Sequence, residues 1–287
     1  MAARGTSAAA GACLVSVEPV AAESPSADEI LARARAVYSS CSSFRDRCSC
    51  TAVMIRDSGE RDTKLSSFTL DFVRPDRFRL ESVEHGVGPE DEWPRTLNLM
   101  NEGGARSGRS GDKQLRRWER AEIPSWLKLH CVTPGLLVAP TRPEWDPLPG
   151  PRVHLLGMST HEDRECFLVA GKVETGFQRT LWIDRERYLV RRCDDIEVFD
   201  EARRAHLRAD IERQLRWLPS GEVAARRHLE SILRNPLETF RSEVTWLFEP
   251  ELDPAIPEER FATPDDWRGL PITDLPERGA PPDPPAR

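Results

Sequence analysis

The stretch SSFTLDFVRPDRFRL, residues 66–80, decides the fold class. Phe68, Leu70 and Phe72 alternate with Thr69 and Asp71, so apolar and polar side chains fall on opposite faces of an extended chain. Arg74-Pro75-Asp76 carries turn chemistry, and Phe78 and Leu80 resume the alternation at once. A period of two on both sides of a tight turn predicts antiparallel neighbours in a meander, not a strand–helix–strand unit.

Working upstream, residues 47–56 are expected to pair with 63–73 through the turn Asp57-Ser58-Gly59-Glu60. Before them Ser26-Ala27-Asp28-Glu29 is a capping box, followed by an apolar stripe at helical spacing (Ile30, Leu31, Ala34, Val37, Tyr38) that ends in the Ser-rich run 39–43. Downstream, 84–94 reads as a loop, and 95–101 and 113–120 read as strands around a Gly-rich tip. Four strand-like runs follow at 152–159, 164–173, 178–184 and 187–198. A helical hairpin at 200–217 and 222–234 is inserted before the strand 239–248, where Phe240, Val244, Trp246 and Phe248 share one face.

The segment 124–151 differs. Trp126, Leu127, Leu129, Val132, Leu136, Leu137 and Val138 cover one side of a helix that Pro134 is expected to kink, and the prolines from Pro140 to Pro151 make the remainder an extended loop. An apolar flap over 124–139 is the expectation. The domain plan is therefore residues 1–22 as a signal peptide or disordered N-terminus, 23–264 as one α+β domain, and 265–287 as a Pro-rich disordered tail.

Composition narrows the function. The chain is 39% apolar and 31% charged, enough to build a core. Its net charge of -7 comes from 41 basic and 48 acidic residues mixed along the sequence, which disfavours nucleic acid as a partner. No window approaches the roughly 18–20 apolar residues of a transmembrane helix. Residues 1–22 carry Arg4 as the only charge before Glu18 and small residues at Val20-Ala21-Ala22, as in a secretory signal cleaved after Ala22; a lipid anchor at Cys13 is the other reading. Removing that signal leaves six cysteines, a number compatible with an oxidising compartment, as small buried side chains or as one or two disulfides. Cys48 and Cys50 share a strand face but lack zinc or redox spacing.

The order of motifs resembles the LolA-like lipoprotein-carrier superfamily and its outer-membrane lipoprotein-sorting relatives. The resemblance rests on the capped N-terminal helix, on Phe72-Val73-Arg74-Pro75-Asp76-Arg77-Phe78-Arg79, on Thr180-Leu181-Trp182-Ile183-Asp184 followed by Leu189-Val190-Arg191-Arg192, and on Leu252-Asp253-Pro254 with Ile256-Pro257-Glu258-Glu259-Arg260-Phe261. It covers residues 26–264 and implies a strongly curved antiparallel β-sheet, an unclosed half-barrel, whose concave apolar face is covered by helices and holds acyl chains or a peptide partner. By the same resemblance the flap is part of a lid, and the role is carriage or sensing.

Searches for chemistry leave no catalytic residue, cofactor or metal site to assign. The six histidines (85, 130, 154, 161, 206, 228) have no metal-ligand spacing. The Gly103–Lys113 run lacks the Gly-Lys-Ser/Thr ending of a phosphate loop and reads as a hairpin tip, and Ser107 and Ser110 lack a nucleophile motif. Asp194 and Asp195 are neighbours on a strand and so point to opposite faces. The ligand surface expected instead is apolar: Phe68, Phe72, Phe78, Trp182, Trp246 and Phe248 on one sheet face, with Trp126, Leu129, Leu136 and Leu137 of the flap above them. Ordinary core packing is the alternative for the same residues. The expected protein is a monomeric, non-enzymatic exported protein of the periplasm or cell envelope that binds a lipid or a lipoprotein acyl chain. The alternative is an interaction or sensing module that meets an envelope protein partner through the 200–234 hairpin.

Overall fold

The computed structural model describes residues 25–86, 89–101, 104–110, 113–118, 132–138, 148, 153–172, 178–217, 223–234 and 240–274. In chain order the elements begin with α1 (Ala27–Ser40), β1 (Ser43–Arg56), β2 (Arg61–Val73), β3 (Arg77–His85), β4 (Arg95–Asn101), β5 (Gly104–Arg109) and β6 (Leu115–Trp118). They continue with α2 (Val132–Val138), β7 (Val153–His161), β8 (Arg164–Lys172), β9 (Gln178–Asp184) and β10 (Val190–Phe199). The last are α3 (Glu201–Trp217), α4 (Val223–Arg234), β11 (Phe240–Phe248), β12 (Glu251–Leu252) and β13 (Ile272–Asp274).

All the strands join one sheet, in the order β13-β6-β5-β4-β3-β2-β1-β11-β10-β9-β8-β7, with β12 added to the start of β1. Every pairing is antiparallel except β13 on β6. The 66–80 stretch behaves as its pattern predicts: β2 and β3 pair from Val73↔Arg77 to Leu65↔His85. The last long strand, β11, returns between the two meanders and binds β1 on one side and β10 on the other.

Register sorts the side chains. Phe44, Phe72, Phe78 and Met100 stand opposite one another on β1 to β4 and share a face with Phe68, Leu70 and Leu80. Across the sheet, Trp246, Cys193, Leu181 and Val169 lie on that same face. Residues of β5 and of β8, at the two ends of this series, enter one core cluster with α1 and α2. Strands lie about 4.8 Å apart, so a flat sheet would hold β5 and β8 roughly 40 Å from each other. One shared core therefore requires a strongly curved, unclosed sheet, and the helix-covered face is the concave one.

Helix α1 starts where its capping box places it. The Ser26 side chain accepts from the Glu29 amide at 3.2 Å, and the Glu29 carboxylate accepts from the Ser26 amide at 2.7 Å. Its stripe of Ile30, Leu31, Ala34 and Tyr38 is buried on the sheet. Its C-terminal junction is fixed by the Leu252-Asp253-Pro254 motif: Asp253 Oδ1 accepts from the Ser42 amide at 2.6 Å and from the Ser42 hydroxyl at 2.8 Å. The inserted helical hairpin α3–α4 connects β10 to β11.

Two expectations change. The glycine-rich tip is itself a strand, β5, held between β4 and β6. Its glycine, serine and arginine residues carry no apolar alternation, so period alone does not reveal it. Gly108 is required there by close approach: a Cβ would stand 2.8 Å from both Leu115 Cδ2 and Trp267 Cζ2. The ordered domain also runs past 264. Trp267 is buried on the convex face with Leu97, Leu99, Leu115 and Phe261, and Ile272–Asp274 adds the parallel edge strand. The tail assigned to 265–287 thus contributes packing as far as Asp274, through an indole and a strand that its proline content obscures. Residues 1–22 and 275–287 lie outside the described residues.

Candidate functional site

The concave face is the candidate site, and its centre is apolar. Phe68, Phe72, Phe78, Trp246 and Phe248 all join the layer beneath α1 and α2. Phe68 and Trp246 meet above the intervening strand β1 with ring centroids 5.4 Å apart. Leu136 and Leu137 of α2 are buried in the same layer. Trp126 and Leu129 lie outside the described residues.

Trp182 does not share this face. The run Leu181-Trp182-Ile183 is apolar on both sides, so its pattern cannot choose an orientation, and the register turns Leu181 and Ile183 inward. The Trp182 indole packs on the convex side with Cys166 and Leu168, under the Arg192 guanidinium at 4.7 Å, and donates to Asp194 Oδ2 at 2.8 Å. Asp194 and Asp195 do point apart: Asp195 faces inward and accepts a two-bond fork from buried Arg179 at 2.7 and 2.8 Å.

One residue ties the cover to the sheet. From the β2–β3 turn, the Arg74 guanidinium donates to Cys41 O at 2.8 Å and Tyr38 O at 3.0 Å, at the end of α1, and to Leu137 O at 3.1 Å in α2. It also stacks over Phe72 at 5.3 Å. A cation at a helix C-terminus pairs with carbonyls that have no intrahelical donor, and here it serves two helices at once. Tyr38 adds a second tie, its hydroxyl accepting from the Val190 amide at 3.0 Å.

The layer also hides a carboxyl. Asp46 lies on the concave side of β1, between Phe44 and Cys48, and is 2% exposed. Its Oδ1 accepts from the Glu249 amide at 3.0 Å, and its Oδ2 has no hydrogen-bond partner among the described residues. Burial pushes this carboxyl well above the usual carboxylate range, against the nearby Thr133 side chain of α2, the Glu249 amide and the positive charge of Arg191. Thiols in and around the layer are similarly suppressed: burial pushes Cys50 and Cys166 up to about 11, and Cys193 well above its ordinary value. Such thiols carry almost no thiolate at neutral pH. Among the described residues, no three His, Cys, Asp or Glu side chains form a metal-holding group, and no helix is long and apolar enough to cross a membrane.

Two open grooves are lined by described residues. One of about 580 Å³ runs over β1, β2 and β11 and is lined by polar residues that include Arg47, Glu81, Arg95 and Arg260, together with Phe68 and Phe248 of the apolar layer. The other, about 770 Å³, lies between the β2–β3 turn and residues 258–263. Sequence reasoning missed both the Arg74 clamp and buried Asp46. Asp46 leaves a signal, a polar residue at an inward position of an alternating strand; Arg74 leaves none, since its partners are backbone atoms distant in sequence.

No family model and no curated protein matches the sequence. Solved structures do show similarity. A conserved protein from Thermus thermophilus is 12% identical, with 87% of this chain and 99% of that chain covered and a TM-score of 0.41. A domain from Vibrio parahaemolyticus described as an outer membrane lipoprotein-sorting protein is 11% identical over 82% and 97% of the two chains, with a TM-score of 0.33. A LolA superfamily protein from Nitrosomonas europaea is 10% identical over 84% and 99%, with a TM-score of 0.30. Likeness at this level carries no inference about a ligand.

Two outcomes follow from the geometry. Replacing Arg74 by Leu removes the donors of three carbonyls and is expected to cost about 1–3 kcal/mol. Hydrogen exchange should then accelerate in α2 and at the end of α1 while the β1–β2 hairpin keeps its protection. For Asp46 the sign is set by a folded-state pKa above the unfolded value near ~3.9. The folded protein binds the proton more tightly, so stability is lost as pH rises above about 4 and is restored below it. Asp46→Asn should therefore melt higher than wild type at pH 7–8, with the difference closing toward pH 4 in a series of thermal melts.

Proposed function

We propose that the chain is a non-enzymatic, exported binding protein that takes an apolar ligand, an acyl chain or the lipid-modified part of a protein, between its concave sheet and the α1–α2 cover. The observation that carries this reading is the construction of the cover. A wide apolar face is covered by two helices, and among the described residues the polar attachment of α2 to the turn below it is one guanidinium hydrogen bond to Leu137 O at 3.1 Å. Apolar contact is non-directional, so an acyl chain can replace Leu136 and Leu137 against the same phenylalanines at little net cost in buried area. The periplasm or cell envelope is the compartment proposed, in keeping with the N-terminal segment, and a monomer with no cofactor is the form proposed.

The α3–α4 hairpin favours a second reading, an interaction module for an envelope protein partner. Val223 at the start of α4 is 50% exposed, and α3 is largely exposed, with Ile211 its one fully buried side chain among those described. That surface is available whether or not the concave face holds a ligand.

Purification of the protein from its native host, followed by mass spectrometry of co-purifying lipids, tests the first reading. Lipid is expected in stoichiometric amount with wild type and strongly reduced with Leu136→Asp, a variant whose folding is checked by circular dichroism. Absence of lipid from both preparations removes the carrier reading and leaves the interaction module.

A further inference from the structure

The concave face is not uniformly apolar. On β4 the inward positions are Thr96, Asn98 and Met100, since Leu97 and Leu99 are buried in the convex cluster with Trp267. Asn98 stands between Leu80 of β3 and Ser107 of β5, and Thr96 stands opposite Ser82. Met100 and Leu80 belong to the apolar layer, whereas Ser82, Thr96 and Ser107 are half-buried. The layer thus ends at a small polar corner, and Asn98 occupies the boundary.

Asn98 is 0% exposed, and neither its Nδ2 nor its Oδ1 has a hydrogen-bond partner among the described residues. A primary amide offers two donors and two acceptor sites, and leaving all of them unmade in a buried position opposes folding. Packing does not explain the residue, because Leu has nearly the same shape without that cost. Native proteins keep such groups where something else requires them.

Resting on the reading of the concave face as an apolar-ligand site, we propose that Asn98 is the recognition point for the polar end of the ligand. The group it fits presents a hydrogen-bond donor and an acceptor on the same side, as an un-ionised carboxylic acid or a primary amide at the end of an acyl chain does. Asn98 Nδ2 donates to the carbonyl oxygen and Oδ1 accepts from the O–H or N–H, closing a two-bond ring. The acyl chain runs from there into the layer past Leu80 and Met100.

Three probes of equal chain length test this on the full-length protein: dodecanamide, dodecanoic acid at pH 5, and methyl dodecanoate, which has acceptors alone. Wild type is expected to bind dodecanamide about tenfold more tightly than the methyl ester, the size of effect that one or two buried hydrogen bonds produce. Asn98→Leu should bind the ester as wild type does, lose the preference for the amide, and melt no lower than wild type. Dodecanoic acid matching dodecanamide in wild type supports the proposal with a fatty acid as the source; acid binding at the level of the ester supports it with an amide. Equal binding of amide and ester by wild type overturns the role of Asn98 and leaves the apolar site standing. Binding of none of the three overturns the apolar site itself, and the proposal with it. Should Asn98→Leu fail to fold, Asn98→Ala serves the same comparison, and the wild-type pair of affinities decides the matter alone.

Discussion

The covering of the concave face depends on the Arg74 guanidinium. A helix end leaves carbonyls without donors, and two helix ends brought together over an apolar sheet leave them where water has little access. Arg74 rises from the β2–β3 turn, supplies donors to Tyr38, Cys41 and Leu137, and lays its flat face on Phe72. The turn residue that reverses the central meander thereby also sets where α1 stops and where α2 rests. Lysine, with one compact ammonium, cannot span these acceptors and stack at the same time.

The sheet beneath is shaped by burial on both sides. Its concave face packs on α1 and α2, while its convex face carries a charged lattice in which buried Asp71 is held by Arg45 at 2.8 Å and Arg260 at 2.7 Å. Arg260 belongs to the segment that brings Phe261 and Trp267 onto β4 and β6, so one ion pair anchors the C-terminal strap. A face built this way does not need closure into a barrel. It needs a cover, and Arg74 and Tyr38 tie the described part of that cover to the sheet.

The legible part of this fold was the part that obeys simple periods. The 66–80 stretch, the capping box at Ser26 and the alternation in β11 each put side chains where the structure has them, because each depends on neighbours in sequence. The illegible part depends on partners far away. β5 is a strand because β4 and β6 flank it, not because Gly104–Arg109 prefers extension. Trp182 faces outward because pairing with β8 and β10 decides between two equally apolar faces. Of the expected ligand face, five sheet aromatics and the two α2 leucines come together, and the polar groups among them, Asp46 and Asn98, are visible in the sequence as interruptions of the inward alternation.

On the proposed reading those interruptions mark a binding layer, since a core gains nothing from an unsatisfied carboxyl oxygen and an unsatisfied amide. The proposed acyl chain lies among Phe72, Leu80, Leu136 and Leu137. The most direct measurement is isotope-filtered nuclear Overhauser spectroscopy of the protein with methyl-labelled leucine and a bound dodecanoyl ligand. Contacts from the chain to the methyls of Leu80, Leu136 and Leu137 are predicted. Contacts confined to Leu97, Leu99 and Leu115 on the convex face, or no contacts at saturating ligand, would contradict it.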